Sequence, residues 1–493
     1  MRKIGIAALL AASTLAMSGA NAQDLPQSAD PYFTNAQALI AEMAARQPNT
    51  GKAKNVILLI ADGQGVGTNY AIRLFAGQQE GKLGEEHVLP YETAEYHSAL
   101  VKTYNLNAQT PDSAPTAGSM NTGIKQRFNL INLGPNAFTE DCSTEEANKL
   151  TTFSEIVSEA GKSVGVVSTA RLTHATPAAV YAKTAYRNWE AEAPEGCTDI
   201  AVQLIDAMEA GTIDVAMAGG ARNFVPMNAE TSFGGKSSRK DETDLIARAT
   251  AFGTTFVTDK ASLDAASGDK ILGLFTNSDM AYEYDRTETE PSLADMTAAA
   301  IKALSTNENG FYLEVEAGRV DHANHAGNLY RALTDGLAFI DAVKIADELT
   351  NDEDTLIIVT ADHEHAIAFN GYCGRGTPIE GLCMGISNEG LEHNGELETA
   401  ADGKPYSVVG YLNGAGSVLT EQAGAYFGTR PIATQEEAID PDYLQQALIP
   451  MSSESHSGED VAVYAKGPWA HLFDGTIEQN YIFHVMNHAV AAN

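Results

Sequence analysis

Four places along the chain carry side chains that suit a metal ion. Asp321 and His325 stand four positions apart, which puts both on one side of a helical turn. Asp362 and His363 are contiguous, with His365 close by. Glu316 stands just before the Asp321 pair, and His174 and Thr176 form another cluster. Asp62 opens an Asp-Gly-Gln-Gly stretch. Mixed Asp and His donors suit zinc, whereas oxygen donors alone suit magnesium. A different chemistry gathers at Ser113, in a run of small residues from Thr110 to Gly118 that leads into a predicted helix. A serine at a helix start sits beside N–H groups with no partner inside the helix, and these favour an anionic phosphoryl group. Taken singly, each residue reads equally well as a turn former, a helix cap or a surface ion pair.

Their placement in the chain joins them. Short apolar runs recur at 56–60, 163–168, 213–218, 311–315, 355–360 and 461–465. Asp62 follows the first, His174 and Thr176 follow the second after a short gap, Glu316 follows the fourth, and Asp362 and His363 follow the fifth. Helical spacing fills 199–209 and 293–304 between them. The alternation predicts an α/β fold, a central and largely parallel sheet with helices on both faces. In such sheets ligands bind at the carboxyl ends of the strands. Residues 367–455, rich in glycine, proline and polar side chains, read as a small inserted lobe. Residues 23–53 read as an N-terminal extension with a helix that starts at Asp30-Pro31, and 54–493 as the catalytic domain.

The first 22 residues read as a cleaved signal peptide. Arg2 and Lys3 precede an apolar run, and Ala20-Asn21-Ala22 fits a small-residue cleavage rule, with the cut after about Ala22. The expected location is therefore periplasmic or secreted. The run is shorter than the ~20 residues a membrane span needs. No hydrophobic tail follows at the C-terminus, so no membrane anchor is expected. Cleavage removes two cations and no acid, moving the formal charge from −34 to −36. Such acidity excludes a nucleic-acid footprint and repels anionic substrates at long range. It serves solubility or adaptation to salt. The four cysteines of an exported chain suggest two disulfides, and none has C-x-x-C spacing.

Read together, these segments resemble the alkaline phosphatase family. The nucleophile segment is Asn107-Ala-Gln-Thr-Pro-Asp-Ser-Ala114, after Lys102-Thr-Tyr-Asn. With it stand Asp62-Gly-Gln-Gly-Val-Gly, His174-Ala-Thr-Pro, Arg187-Asn-Trp, Val315-Glu-Ala-Gly-Arg-Val-Asp-His-Ala-Asn-His325, Thr360-Ala-Asp-His and His456-Ser-Gly-Glu-Asp. The likeness covers about residues 54 to 490 and is closer to the animal branch than to the enteric bacterial one. It implies hydrolysis of small-molecule phosphate monoesters through a phosphoserine at Ser113, with two zinc ions and one magnesium ion. Asp321, His325 and His456 would hold the first zinc. Asp62, Asp362 and His363 would hold the second, with Ser113 as its exchangeable ligand. Asp62 would also reach the magnesium site, completed by Thr176 and Glu316. Arg187, oriented by Asp112, would clamp two phosphate oxygens. His174 and His322 would stand behind the ligands. Two metals would stabilise the attacking and leaving oxygens of an in-line displacement. Family members are commonly homodimers. The family also implies a Cys142–Cys197 bridge, and Cys373–Cys383, closing a short glycine-containing loop, is the simplest remaining pairing.

Several positions depart from the family pattern. Pro115 and Gly118 stand where a small residue and a threonine are usual. Thr276 and Glu290 align with two carboxylates of an additional calcium site, and Thr276 brings no charge, so calcium is not expected there. His174 stands where the enteric enzyme has an aspartate, which should weaken magnesium and let zinc compete. Two rivals compete with this reading. A sulfatase is suggested by Ser113-Ala-Pro-Thr-Ala117, but Ala117 lacks the arginine of that signature. A metal-storage protein would need neither Asp112-Ser113 nor Arg187.

Overall fold

The computed structural model describes residues 25–492; the signal-peptide segment lies outside them. Among the described residues, those up to Gln47 form one compact unit and those from Pro48 onward another. In the first unit helix α1 (Pro31–Ala45) starts as its sequence predicts: Asp30 Oδ1 accepts the Tyr32 N–H at 2.8 Å, and Pro31 occupies the first turn.

The second unit is built on a ten-stranded sheet. Eight of its strands are β1 (Asn55–Ala61), β2 (His97–Lys102), β3 (Ser163–Arg171), β4 (Val215–Gly219), β5 (Thr255–Val257), β6 (Ile271–Leu274), β7 (Phe311–Ala317) and β8 (Thr355–Thr360). The others are Val461–Lys466 and Thr476–Glu478. Across the sheet the order is Thr476–Glu478, β2, Val461–Lys466, β8, β1, β7, β3, β4, β6, β5. Only Val461–Lys466 runs against the rest, antiparallel to both β8 and β2. The largely parallel sheet expected from the apolar runs is therefore present. The expected strand at 213–218 begins instead at Val215, and just before it the Asp214 carboxylate accepts the Val164 N–H at 3.0 Å.

Alternation along β1 shows how the sheet is held. Val56, Leu58 and Ile60 enter one core, and Ile57, Leu59 and Ala61 enter the other. All six are essentially unexposed. Each large aliphatic side chain so buried contributes ~1.5–3 kcal/mol, and a central parallel strand covered on both faces must be apolar throughout. In β7 the same period puts Tyr312 in the first core and Phe311, Leu313 and Val315 in the second. Glu314 and Glu316 therefore face the first core, the side on which helix α2 (Val66–Gln79) is absent and helix α3 (Ser113–Thr122) packs through Ala114, Ala117 and Met120. Helix α3 ends at Gly123 with φ +80°. A Cβ there would lie 2.6 Å from Phe483, so both conformation and space call for glycine.

The second core is roofed by helix Leu329–Glu348, which buries Asp335. Its Oδ2 accepts the Glu283 N–H at 3.0 Å, and burial pushes its carboxyl up to about 8. A carboxyl raised on folding keeps its proton in the folded chain after the unfolded chain has lost it. Its contribution to stability therefore falls as pH rises from about 4 through about 8, and is level above that. Asp335→Asn keeps the acceptor and cannot ionise. Relative to wild type it is expected to gain stability over that window, on the order of a few kcal/mol by pH 8. Denaturant melts at pH 5 and pH 8 with the same gap would refute this.

Residues 367–455 contain a three-stranded sheet in which Val409–Gly414 lies between Ile367–Phe369 and Ala447–Pro450. Two hairpins accompany it, Met384–Ile386 with His393–Leu397 and Thr420–Gln422 with Ala425–Phe427. The cysteines pair as Cys142–Cys197 and Cys373–Cys383.

Candidate active site

β8, β1, β7 and β3 are neighbours and parallel, so the residues just beyond their ends share one edge of the sheet. Asp62 comes directly after β1, Asp362 two residues after β8, and Glu316 at the end of β7. His174 stands at the N-terminus of a short helix, Ala175–Ala178, beyond β3, without a capping bond from its side chain. Asp321 and His325 lie on the helix Arg319–His325 that leaves β7. His456 comes from far along the chain, on a two-residue strand that pairs with Glu364–His365.

Ser113 opens α3, and its Oγ lies 3.0 Å from His363 Nε2. Asp112 holds the N-cap position in extended conformation, yet its side chain does not cap the helix. One oxygen pairs with Arg187 Nη1, and the other accepts the Asn129 N–H at 3.0 Å. The guanidinium is thereby fixed, and its Nη2 reaches His174 Nε2 at 2.9 Å.

Three groups of donor atoms converge here. In the first, Asp321 Oδ1 lies 3.3 Å from His325 Nε2 and 3.2 Å from His456 Nε2, and those nitrogens are 3.0 Å apart. The Nδ1 of His325 faces the Glu454 carbonyl at 2.6 Å, and that of His456 faces the Pro111 carbonyl at 2.9 Å. A carbonyl can only accept, so each Nδ1 carries the proton and each Nε2 presents a lone pair. Two lone pairs and a carboxylate turned toward one point call for a cation. In the second group His363 Nε2 lies 3.4 Å from Asp62 Oδ1 and 3.3 Å from Asp362 Oδ2. The third brings Asp62, Glu316 and His174 together. Both Asp62 oxygens, Thr176 Oγ1 and Glu316 Oε1 are buried without a hydrogen-bond partner. Buried groups of this kind are costly unless something pairs with them.

Electrostatics point the same way. Burial, then Asp362, Asp321 and Glu316, push Asp62 well above the usual carboxylate range. Glu316 is pushed up to about 7, chiefly by burial. Burial would also raise Asp321, but His325, His365 and His456 outweigh it and hold the carboxylate well below its usual range. His174 and His363 are lowered, first by burial and then by Arg187 and His456 respectively, so both imidazoles are neutral. His322 is pushed down to about 4 by burial; its Nδ1 meets Arg319 Nη1 at 2.8 Å and its ring stands 5.3 Å from that of His174. A metal-free centre of this kind strongly favours cations.

Sequence reasoning did not single out several supporting residues. Thr116 donates its hydroxyl to Asp362 Oδ2 at 3.0 Å, and its signal was the spacing of three from Ser113, one helical turn. Ser168 donates to Glu316; the two are register partners on β3 and β7, which only the pairing of the strands reveals. Glu454 has its carboxylate on His365, and its nearness to His456 was the only hint. Thr276 uses its hydroxyl on the Ser278 carbonyl, and Glu290 accepts the Ala281 N–H. A cavity of about 590 Å³ is lined by Asn188, Trp189, Arg222 and Lys240. It contains none of the convergent donors, so the donors and not the void locate the chemistry.

Comparison with known proteins agrees with this geometry. A family model described as alkaline phosphatase matches residues 53–492. The chain is 39% identical over 486 residues to an alkaline phosphatase of Gadus morhua, covering 94% of this chain and 98% of that protein. It is 37% identical to the tissue-nonspecific alkaline phosphatase isozyme of Homo sapiens, covering 93% of this chain and 88% of that one. The crystal structure of Thermus thermophilus alkaline phosphatase shares the fold, with TM-score 0.65 and 24% identity over 92% of this chain and 94% of that one.

Proposed function

Since the chain belongs to the alkaline phosphatase family and its reaction is phosphomonoester hydrolysis, we propose that it acts through a phosphoserine at Ser113, in a centre of two zinc ions and one magnesium ion. The observation that carries this is Ser113 Oγ at 3.0 Å from His363 Nε2, beside three sets of converging donors. Asp321, His325 and His456, whose facing atoms lie 3.0–3.3 Å apart, fit one zinc, and Asp62, Asp362 and His363 fit the other, because each set mixes carboxylate with imidazole. Asp62, Thr176 and Glu316 offer oxygens and fit magnesium. When bound, these ions supply positive charge that favours the Ser113 alkoxide and the departing oxygen.

The remaining work falls to the protein. Ser113 Oγ forms a bond to phosphorus as the bond to the leaving alcohol breaks, and water later releases phosphate from the serine. In the first turn of α3 Pro115 brings no N–H and that of Thr116 bonds the Asp112 carbonyl, so the Ser113 and Ala114 N–H groups are the ones at the helix start left to favour an anion. Arg187, held by Asp112, places two N–H donors on phosphate oxygens as they gain charge. Its positive charge also counters the long-range repulsion of a chain with net charge −34. His174 and His322 set the surroundings of Arg187 and of the third site. A neutral His174 beside the oxygen donors weakens magnesium and admits zinc.

The test is phosphate release from an aryl phosphate, a phosphodiester and an aryl sulfate, before and after chelation. The monoester is expected to be fastest. Chelation should abolish turnover, zinc with magnesium should restore it, and excess zinc should suppress it. Faster sulfate cleavage would return the sulfatase reading, and full activity after exhaustive chelation would remove the metals.

We also assign the chain to the periplasm or exterior after cleavage near Ala22, and to a homodimer. Two disulfides support export, and no helix among the described residues is long and apolar enough to cross a membrane. Leu412, Leu448 and Ile449 stand exposed on the 367–455 segment, which supports a partner copy. Mass and N-terminal sequence of the purified native protein check both assignments.

A further inference from the structure

Glu454 is not among the residues assigned above to the metals, although with His325 and His365 it forms a further cluster of donor atoms, and it reaches the first set through His325 and His365. The residue is 1% exposed. Its Oε2 is 2.6 Å from His365 Nδ1, and its Oε1 accepts the Ala366 N–H at 2.6 Å. Across the ring, His365 Nε2 lies 2.9 Å from Asp321 Oδ1. Its backbone meets His325 twice: the Glu454 N–H donates to the His325 carbonyl at 2.9 Å, and the Glu454 carbonyl accepts from His325 Nδ1 at 2.6 Å. Two residues on stands His456, whose strand pairs with that of His365. Glu454 thus meets His325 directly and Asp321 through His365.

The side-chain link has a direction. The Ala366 amide pins one carboxylate oxygen and leaves the other facing the ring. An imidazole held between two carboxylates offers N–H to each. That fixes the plane of the His365 ring and, through its Nε2–H, the rotamer of Asp321. Asp321 Oδ1 receives this N–H while lying 3.2–3.3 Å from the Nε2 atoms of His456 and His325. The donated hydrogen bond therefore sets where that oxygen sits relative to the two lone pairs.

We propose that Glu454 is a positioning residue for the first zinc site, acting through His365 on Asp321. This rests on the zinc reading of that site. Glu454 does not meet substrate, so its role is to hold a preformed ligand set; partners of this kind are worth ~10–100-fold in metal affinity.

The test is zinc retention by the loaded, full-length protein against a competing chelator, with zinc counted per chain, for wild type, Glu454→Gln, His365→Gln and the double variant. Glu454→Gln keeps size and an acceptor for Ala366 but loses the charge facing the ring. It is expected to release one zinc at ~10–100-fold lower chelator concentration and to keep the other. Its KM should be near wild type, and kcat should return at saturating zinc. Because Glu454 works through His365, the double variant is expected to be no worse than the weaker single. Wild-type retention by Glu454→Gln, or simple addition of the two losses, would overturn the proposal while leaving the zinc reading intact. If Glu454→Gln does not fold, His365→Gln carries the same test from the other end of the link, and wild-type retention there overturns it equally. A wild-type chain that holds no zinc would remove the metal reading and this inference with it.

Discussion

Ser113→Ala is expected to lose at least ~10³-fold in kcat on an aryl phosphate while still holding its metals. The loss is large because no other group can take over covalent capture. Ser113 is the residue at the start of α3 whose Oγ faces His363, and the next hydroxyl on that face, Thr116, is committed to Asp362. The side chain is 2% exposed and makes no hydrogen bond that holds α3 together, so the fold should survive its removal. Residual rate would come from the metals and Arg187 acting on water. Acid quenching of the wild type during turnover, followed by peptide mapping, should place one phosphoryl group on Ser113. A phosphate on another residue, or an alanine variant within tenfold of wild type, would defeat the assignment.

Arg187→Ala is expected to lower kcat/KM by ~10²–10⁴-fold and to weaken inhibition by inorganic phosphate. Arg187→Lys should recover little, since an ammonium offers a point charge in place of a planar pair of donors. Two features make the effect large. The guanidinium is half-buried, and Asp112 holds it by one terminal nitrogen, so its direction is set before substrate arrives. Removal also leaves the Asp112 carboxylate facing the phosphate site with the Asn129 amide as its remaining partner. Asp112→Asn should therefore cost less than Arg187→Ala. Equal kinetics for the arginine and alanine forms, at equal metal content, would show that Arg187 does not meet the phosphate.

Much of this was legible in the sequence, and the remainder was hidden for physical reasons. The central strands were visible because a strand covered on both faces has to be apolar along its whole length, as Val56 to Ile60 are. β2 and Thr476–Glu478 near one edge, and β5 and β6 at the other, were not visible. They are short or face water on one side, as Ser98 and Leu100 do in β2, so no continuous apolar run marks them. Most residues proposed for the metals were found at the carboxyl ends of apolar runs, since β8, β1, β7 and β3 deliver their neighbours to one edge. His456 was different. It follows no central strand, and its assignment came from family resemblance alone. Thr116, Ser168 and Glu454 act through pairings between distant segments, and linear spacing carries little trace of those.

The one strand that opposes the sheet has a consequence for timing. Val461–Lys466 inserts between β8 and β2, and His456 stands just before it. The donor sets draw on Asp62 near the start of the sheet and on His456 near its end. Contacts of such long separation must await closure of very large loops, which makes them late events in folding. A chain still emerging, or cut short before residue 456, would present incomplete donor sets and little affinity for the ions. Capture of the full complement thus reports that the whole chain has arrived, and metal content becomes a measure of completed maturation.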